Sequence, residues 1–176
     1  MRPLGAILAG GQARRFGADK ALASLDGRAL LDHVAAALAP HCEGVILCGR
    51  AGAGGIPDRP APGLGPLGGL NAALHAAAQR GTARVLVAPC DTPLLPLALL
   101  EALIARTGSS FVAQLPVLGL WDTALAPACD AYIASGARAS MRAWADHAGA
   151  EAIDWEGPIP NINSANDLSR VTGFFP

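Results

Sequence analysis

A glycine-rich segment near the amino terminus carries residue types that bind phosphate. Gly10 and Gly11 directly follow a short apolar run, and Arg14, Arg15 and Lys20 come shortly after. Glycines allow backbone N–H groups to close around phosphate oxygens, and cationic side chains supply further donors. Lys20 is the only lysine in the chain, and its compact ammonium suits a phosphate. The spacing GxxxxGK[ST] is absent, so an ordinary surface lysine remains the alternative.

Two aspartates follow predicted strands and could supply carboxylates to the same site. Asp91 comes just after the apolar run 85–88, at the strand end where a hard cation and phosphates would meet. The alternative is that Asp91 or Thr92 caps the next helix. Asp58 stands in the Gly- and Pro-rich stretch 49–69, where most aspartates are solvated or form turns.

Asparagines are frequent near the end of this apolar chain. Asn161 and Asn163 alternate along an extended segment, which places them on the same side of it. They could reach the metal or phosphate site as neutral hydrogen-bonding groups. The alternative is simpler, because Ser164 could cap a helix whose fourth residue is Asp167.

Short apolar runs alternate with longer Ala- and Leu-rich stretches of helical period. This pattern predicts one α/β domain over residues 1–176, a Rossmann-like three-layer sandwich with a mostly parallel sheet. Strands are expected at 5–8, 44–47, 85–88, 109–113, 117–120 and 150–154. Helices are expected at 30–38, 67–79, 97–106, 123–133, 139–147 and 165–170.

Composition narrows the function classes. The 176 residues are 52% hydrophobic and 15% charged with a net charge of -1, which excludes a disordered chain and gives no general attraction to nucleic acid or anionic lipid. The four cysteines form no metal-binding spacing, so we interpret them as small buried residues. We find no targeting segment and no run long enough to span a membrane. A cytoplasmic protein is expected.

The segments above, in this order, closely resemble the molybdenum cofactor guanylyltransferase (MobA) family. Residues 8–34, LAGGQARRFGADKALASLDGRALLDHV, resemble the family pattern LAGGxxxRxGxDKxLxxLxGxxLxxHV. Further matches are GPLGGL at 65–70, CDTPLLP at 90–96, PVLGLW at 116–121 and NINSANDL at 161–168. The resemblance implies a nucleotide-binding α/β fold that transfers GMP from GTP, with Mg²⁺, to the terminal phosphate of molybdopterin and releases pyrophosphate.

The resemblance also assigns roles to residues at matching positions. It implies that Lys20 contacts the nucleotide phosphates, that Asp58 helps to bind the guanine nucleotide and that Asp91 is a magnesium ligand. Asn161 and Asn163 would lie near the metal or the pterin, and Arg14 is a candidate on the same side. The backbone that would hold the nucleotide comprises Leu8, Ala9, Gly10 and Gly11. The family further implies cofactor-insertion proteins and apo-molybdoenzymes as partners.

Two positions depart from the family pattern. Relatives often carry an asparagine after the second strand, in a pattern like NANR, where this chain has Cys48-Gly49-Arg50. A guanine or ribose contact could be lost or replaced there. A histidine commonly precedes the proline of the later strand, where this chain has Leu115 before Pro116, which affects the pterin side.

Two other functions remain open. One keeps the fold and changes the substrate, to cytidylyl transfer onto the pterin or nucleotidyl transfer onto a sugar or polyol phosphate. Cytidylyl relatives tend to have LAAG, so Gly10 in LAGG favours guanine. The other is a degenerate nucleotide-binding module, which the intact Gly10, Gly11, Lys20 and Asp91 disfavour.

Overall fold

The computed structural model describes residues 1–10, 23–50, 52, 54–162 and 167. It contains a six-stranded mixed sheet with the order β4-β1-β5-β7-β6-β8, and a separate two-stranded hairpin formed by β2 and β3. The eight strands are β1 (Leu4–Leu8), β2 (Ser24–Leu25), β3 (Arg28–Ala29), β4 (Val45–Cys48), β5 (Arg84–Pro89), β6 (Ser110–Val112), β7 (Leu115–Asp122) and β8 (Glu151–Ile153).

Helices cover both faces of this sheet. The five α-helices are α1 (Leu30–Leu38), α2 (Gly65–Gln79), α3 (Leu97–Ile104), α4 (Ala126–Ala134) and α5 (Met141–Ala148), with short 3₁₀ turns at Ala39–His41 and Thr123–Leu125. Helices α2, α4 and α5 pack on one face, and α1 and α3 pack on the other. The predicted three-layer α/β architecture is therefore confirmed. No helix in these described ranges has the length and apolar character needed to cross a membrane.

The adjacent inner strands β1 and β5 are buried on both faces. In β5, Val85 and Val87 belong to the core under α2, whereas Leu86 and Ala88 belong to the core under α1 and α3. Successive side chains of a strand point to opposite faces, so an unbroken apolar run is what a strand covered on both sides requires. Their pairing is parallel, as is that of β1 with β4.

Strand β7 is the one antiparallel member of the six-stranded sheet, and the helical crossovers did not predict it. Only two residues separate β6 from β7, so the two strands form a hairpin, and β7 then inserts between β5 and β6. A link this short can only join antiparallel neighbours. The helix expected at 123–133 starts later, after a 3₁₀ turn, with Pro127 in the first turn of α4.

Two further boundaries differ from expectation. Helix α2 begins at Gly65 rather than at residue 67, because Pro66 occupies the first turn, where its missing N–H is not needed. Helix α3 ends at Ile104 instead of residue 106, and the carbonyl of Arg106 accepts a hydrogen bond from the Arg84 guanidinium at 2.7 Å. Most of the helix expected at 165–170 lies outside the described residues.

Candidate active site

The carboxyl ends of the parallel strands β4, β1 and β5 meet at one edge of the sheet. The amide of Ala9 donates to the carbonyl of Cys48 at 2.9 Å, and the amide of Cys90 donates to the carbonyl of Leu8 at 3.1 Å. The first residues after the three strands therefore lie side by side. Open α/β sheets bind ligands at this edge, which is where the structure places Leu8 and Ala9.

Gly10 and Gly49 are in backbone contact at this edge. A Cβ added to Gly49 would lie 2.6 Å from the amide nitrogen of Gly10, and a Cβ added to Gly10 would lie 2.8 Å from the carbonyl oxygen of Gly49. Gly49 also has a φ of +87°, a conformation that favours glycine. Neither position has space for a side chain.

The carboxylate of Asp58 lies against this pair of glycines. Its Oδ1 would be 3.3 Å from a Cβ on Gly10 and 3.2 Å from one on Gly49. The first turn of α2 closes the other side, since a Cβ on Gly68 would come within 3.0 Å of the Cβ of Asp58. Glycines on three segments thus make room for one carboxylate.

The two carboxylate oxygens of Asp58 differ in their hydrogen bonds. Oδ2 accepts from the amide of Gly63 at 3.2 Å, whereas Oδ1 is buried and accepts no hydrogen bond within the described part of the chain. A buried acceptor without a donor is costly. A ligand that donates to Asp58 would remove this cost.

Asp91 follows β5 at the same edge, and its backbone is fixed from two sides. Its carbonyl accepts from the amide of Ile162 at 2.8 Å, and the Thr92 hydroxyl donates to the carbonyl of Pro89 at 3.1 Å. The residue that caps α3 is Pro96, with no side-chain hydrogen bond. The alternative that Asp91 or Thr92 caps this helix is therefore wrong.

Asn161 is brought beside Asp91 by the chain that follows β8. The next residue, Ile162, is fully buried and packs with Leu25 and Leu30, and its amide bonds to the carbonyl of Asp91. Asn161 itself is exposed. The described part of the site thus joins Leu8, Ala9, Gly10, Asp58, Asp91 and Asn161 along one edge. Four predicted site residues, Gly11, Arg14, Lys20 and Asn163, lie outside the described residues.

The profile of one protein family covers most of this chain, including every strand that forms the edge. It is the family of the MobA-like NTP transferase domain, and it matches residues 5–154. The chain belongs to this family. A molybdenum cofactor guanylyltransferase of Rhodobacter capsulatus is 39% identical, over 97% of this chain and 95% of the relative. Another, from Serratia proteamaculans, is 35% identical, over 94% and 92%. The resemblance stated from the sequence is confirmed.

Solved structures share the fold of this MobA-like domain. Molybdopterin-guanine dinucleotide biosynthesis protein A from Archaeoglobus fulgidus superposes with a TM-score of 0.68 at 22% identity, over 97% of each chain. The 2-C-methyl-D-erythritol 4-phosphate cytidylyltransferase of Thermus thermophilus superposes with a TM-score of 0.72 at 17% identity, over 96% of each. At these identities the comparison establishes the nucleotidyltransferase fold and leaves the base and the acceptor open.

A divalent cation, which nucleotidyltransferases normally use, fits the donors that this MobA-like domain offers. No group of three or more His, Cys, Asp or Glu side chains in the described ranges could hold a metal by itself. Mg²⁺ does not need one, because it typically binds through one or two carboxylates together with substrate phosphates. Asp91, which is partly exposed and lies just after β5 at this edge, is a carboxylate that could serve in this way.

Cys48, which lies at this edge of the MobA-like domain, is not suited to act as a nucleophile. Cys48 ends β4 and is fully buried, and burial raises the pKa of its thiol to about 12. A thiol that stays protonated attacks neither phosphorus nor carbon efficiently. Cys48 therefore offers no nucleophile at this edge.

Gly49 is the site residue whose role the sequence did not reveal. From the sequence it is only a departure from a family asparagine, whereas in the structure it lets the end of β4 approach Gly10 and Asp58. The sequence feature that could have indicated this role is a glycine close after a predicted strand, at the sheet edge where ligands bind. In this chain the backbone of Gly10 fills the space of the missing side chain.

Proposed function

We propose that this chain transfers GMP from GTP to the terminal phosphate of molybdopterin, giving molybdopterin guanine dinucleotide and pyrophosphate in a Mg²⁺-dependent reaction. The observation that carries the proposal is the similarity, over nearly the full length, to relatives named molybdenum cofactor guanylyltransferase, two of which are 39% and 35% identical. The geometry of Asp58 supports the choice of base. No other function has an observation of this kind in its favour.

Asp58 favours guanine over cytosine on hydrogen-bonding grounds. A carboxylate only accepts hydrogen bonds, and guanine presents two adjacent donors, its N1–H and its 2-amino group. The corresponding edge of cytosine presents an acceptor, N3, that a carboxylate would repel. Since Oδ1 of Asp58 is buried without a donor from the described residues, a guanine donor would satisfy it.

The remaining site residues are assigned either to the GTP phosphates and their metal ion or to the pterin acceptor. In the proposal, backbone amides from Leu8 to Gly11 and the ammonium of Lys20 hold the GTP phosphates. Asp91 would hold Mg²⁺, which when bound supplies Lewis-acid neutralisation of phosphate charge. Arg14 would lie on the substrate side, and Asn161 and Asn163 would lie near the metal or the pterin.

The reaction is a direct displacement. A phosphate oxygen of molybdopterin forms a bond to the α-phosphorus of GTP, and the bond from that phosphorus to the bridging oxygen breaks, with pyrophosphate taking the electron pair. In the proposal, Lys20 and the loop amides neutralise the charge that develops. No enzyme nucleophile and no covalent intermediate are required. Cofactor-insertion proteins and apo-molybdoenzymes would receive the product.

The decisive experiment is conversion of the pterin. Purified protein with GTP and Mg²⁺ should convert molybdopterin cofactor to the guanine dinucleotide, with one pyrophosphate released per product. Failure with GTP and success with CTP would replace the proposal with cytidylyl transfer.

Nucleotide binding can be tested before the unstable pterin is prepared. A ligand that binds the folded state raises its melting temperature according to affinity. GTP with Mg²⁺ should stabilise the protein more than CTP, ATP or UTP under the same conditions. No response to any nucleotide would contradict the proposal and favour a degenerate module.

A further inference from the structure

A group of polar side chains joins helix α4 to the segment that carries Asp58. The two carboxylate oxygens of Asp130 on α4 accept from two nitrogens of the Arg59 guanidinium, at 3.3 Å from Nε and 3.4 Å from Nη2. The same carboxylate is bonded by two side chains of α2, Nδ2 of Asn71 at 2.7 Å and Nε2 of His75 at 2.9 Å. Asp130 thus holds three partners from two different segments.

Arg59 is also fixed through its main chain. Its amide donates to the carbonyl of Gly68 at 3.1 Å, and its carbonyl accepts from Nδ2 of Asn71 at 3.4 Å. Arg59 directly follows Asp58 in the chain. The peptide that sets the direction of the Asp58 side chain is therefore anchored to α2 by its backbone and to α4 by its guanidinium.

The charged part of this arrangement contributes little to stability by itself. The side chains of Arg59 and Asp130 are 48% and 34% exposed, and ion pairs at such positions are weak because water competes for both partners. Asn71, in contrast, is fully buried and binds both Asp130 and the Arg59 carbonyl. Because its amide is buried and has two defined partners, Asn71 fixes the position of Arg59 relative to Asp130. If Arg59 moved, the neighbouring Asp58 would lose its position between the glycines.

We propose that Asp130 is a positioning residue for recognition of the guanine base: it holds Arg59, and through Arg59 it keeps the Asp58 carboxylate in the glycine-lined position where the base binds. Asp130 itself touches no ligand. The inference rests on the proposed role of Asp58. It adds that base selectivity depends on an ion pair outside the site.

Selectivity for the guanine 2-amino group provides a test that a general structural role would not affect. ITP differs from GTP only in lacking that group, so the ratio of the two dissociation constants reports the contact with Asp58. Both constants are measured by titration calorimetry of the full-length protein without pterin, so that no turnover occurs. Asp58→Ala should bring the ratio close to one.

Asp130→Ala should weaken GTP binding by roughly three- to tenfold and ITP binding by less, so that the preference for GTP falls. In steady state the variant should raise KM for GTP more than it lowers kcat. Arg59→Ala should have a similar effect, and the double variant should be no worse than either single variant, because both residues act through one pair. Equal losses for GTP and ITP would overturn the inference.

Two further variants keep the test interpretable. Glu151→Gln removes a comparable ion pair, in which Arg106 and Glu151 lie 2.8 Å apart and their side chains are 40% and 60% exposed. Glu151 is on β8, the outermost strand on the side of the sheet away from β4. This variant should leave both dissociation constants unchanged. If Asp130→Ala does not fold, His75→Ala removes one contact of Asp130, and it should lower the preference for GTP by a smaller factor; an unchanged preference would contradict the inference.

The outcomes separate the two proposals. If Asp58→Ala removes the preference and Asp130→Ala keeps it, Asp58 binds guanine and Asp130 does not position it. If Asp58→Ala keeps the preference, the guanine contact itself is wrong, and the role of Asp130 is rejected with it.

Discussion

Gly10 and Gly49 approach so closely that the backbone of each leaves no space for a side chain on the other. Gly49→Ala would introduce both a left-handed alanine and a 2.6 Å contact with the amide nitrogen of Gly10. Gly54→Ala is a matched control, because Gly54 also has positive φ but no atom of the described residues lies within 4 Å of its added Cβ. We expect a loss of about 3 kcal/mol in unfolding free energy for Gly49→Ala and about 1 kcal/mol for Gly54→Ala, measured by denaturant titration. Equal losses would mean that the contact adds nothing.

Gly10→Ala tests whether this contact also sets the choice of base. Its Cβ would lie 2.8 Å from the Gly49 carbonyl oxygen and 3.3 Å from Oδ1 of Asp58, so Asp58 must shift. We expect weaker GTP binding and a smaller preference for GTP over CTP, measured by calorimetry. Gly44→Ala is the control, with its nearest neighbour 3.9 Å away, and should leave binding unchanged. An unaltered preference in Gly10→Ala would remove Gly10 from base selection.

Asp91→Asn separates metal binding from folding. The substitution keeps the shape of the side chain, and the main-chain carbonyl of residue 91 still accepts from the Ile162 amide. The neutral side-chain amide of asparagine, however, is a poorer ligand for Mg²⁺ than a carboxylate. We expect turnover to fall about a hundredfold or more. The melting temperature should stay within about 2 °C of the parent. Asp26→Asn, in the exposed turn between β2 and β3, should retain activity; full activity in Asp91→Asn would exclude Asp91 from the metal site.

At the scale of elements, the sequence predicts which segments of the site form strands better than it predicts which strands pair with each other. The runs 5–8 in β1 and 85–88 in β5 are apolar throughout, because both faces of each strand are covered, and Gly10 and Asp91 follow shortly after them. Strand β7 could be recognised as a strand but not placed between β5 and β6, since that pairing brings together residues far apart in sequence. Asp58 likewise lies in a long irregular stretch whose position depends on α2 and α4.

The contact between α2 and α4 should make stability sensitive to acid. Burial raises the pKa of Asp130, but hydrogen bonds from Asn71 and Arg59 and the charge of His75 outweigh it and hold that pKa below its ordinary value. A carboxyl with a lowered folded pKa stabilises the protein fully above its unfolded pKa, and this contribution disappears as pH falls through the folded pKa. Asp130→Asn should therefore flatten the fall of melting temperature below about pH 4. The same acid slope in the variant and the parent would contradict this.

At the scale of the molecule, composition and periodicity suffice for a single three-layer domain because apolar surface is required on both faces of the sheet. They do not determine which side chains at the edge have unused hydrogen-bonding capacity. Oδ1 of Asp58 is an example, since its burial depends on glycines from three segments that meet only in the folded chain. Family resemblance implies that Asp58 binds the guanine nucleotide, and its buried Oδ1 is the structural feature that supports this proposal.

The cysteines provide a probe of whether the whole molecule unfolds as one unit. All four lie among the described residues, and no disulfide joins them. Cys48 and Cys129 are buried in the core under α2, and Cys42 is buried in the core on the other face, which fits the interpretation of cysteines as small core residues; Cys90, at the site edge, is partly exposed. Burial raises the thiol pKa of Cys42 to about 11 and those of Cys48 and Cys129 to about 12.

These three thiols should therefore remain unreactive towards a disulfide reagent in the folded protein at mildly alkaline pH, because little thiolate forms and the sulfur atoms are inaccessible. In a Cys90→Ser background, labelling of the three should appear over the same range of denaturant as loss of tryptophan fluorescence. Both cores share the strands β1 and β5, so neither can open fully while the other remains packed. Labelling of Cys42 at lower denaturant than Cys48 and Cys129 would show that the layer formed by α1 and α3 detaches first, and that the two cores unfold separately.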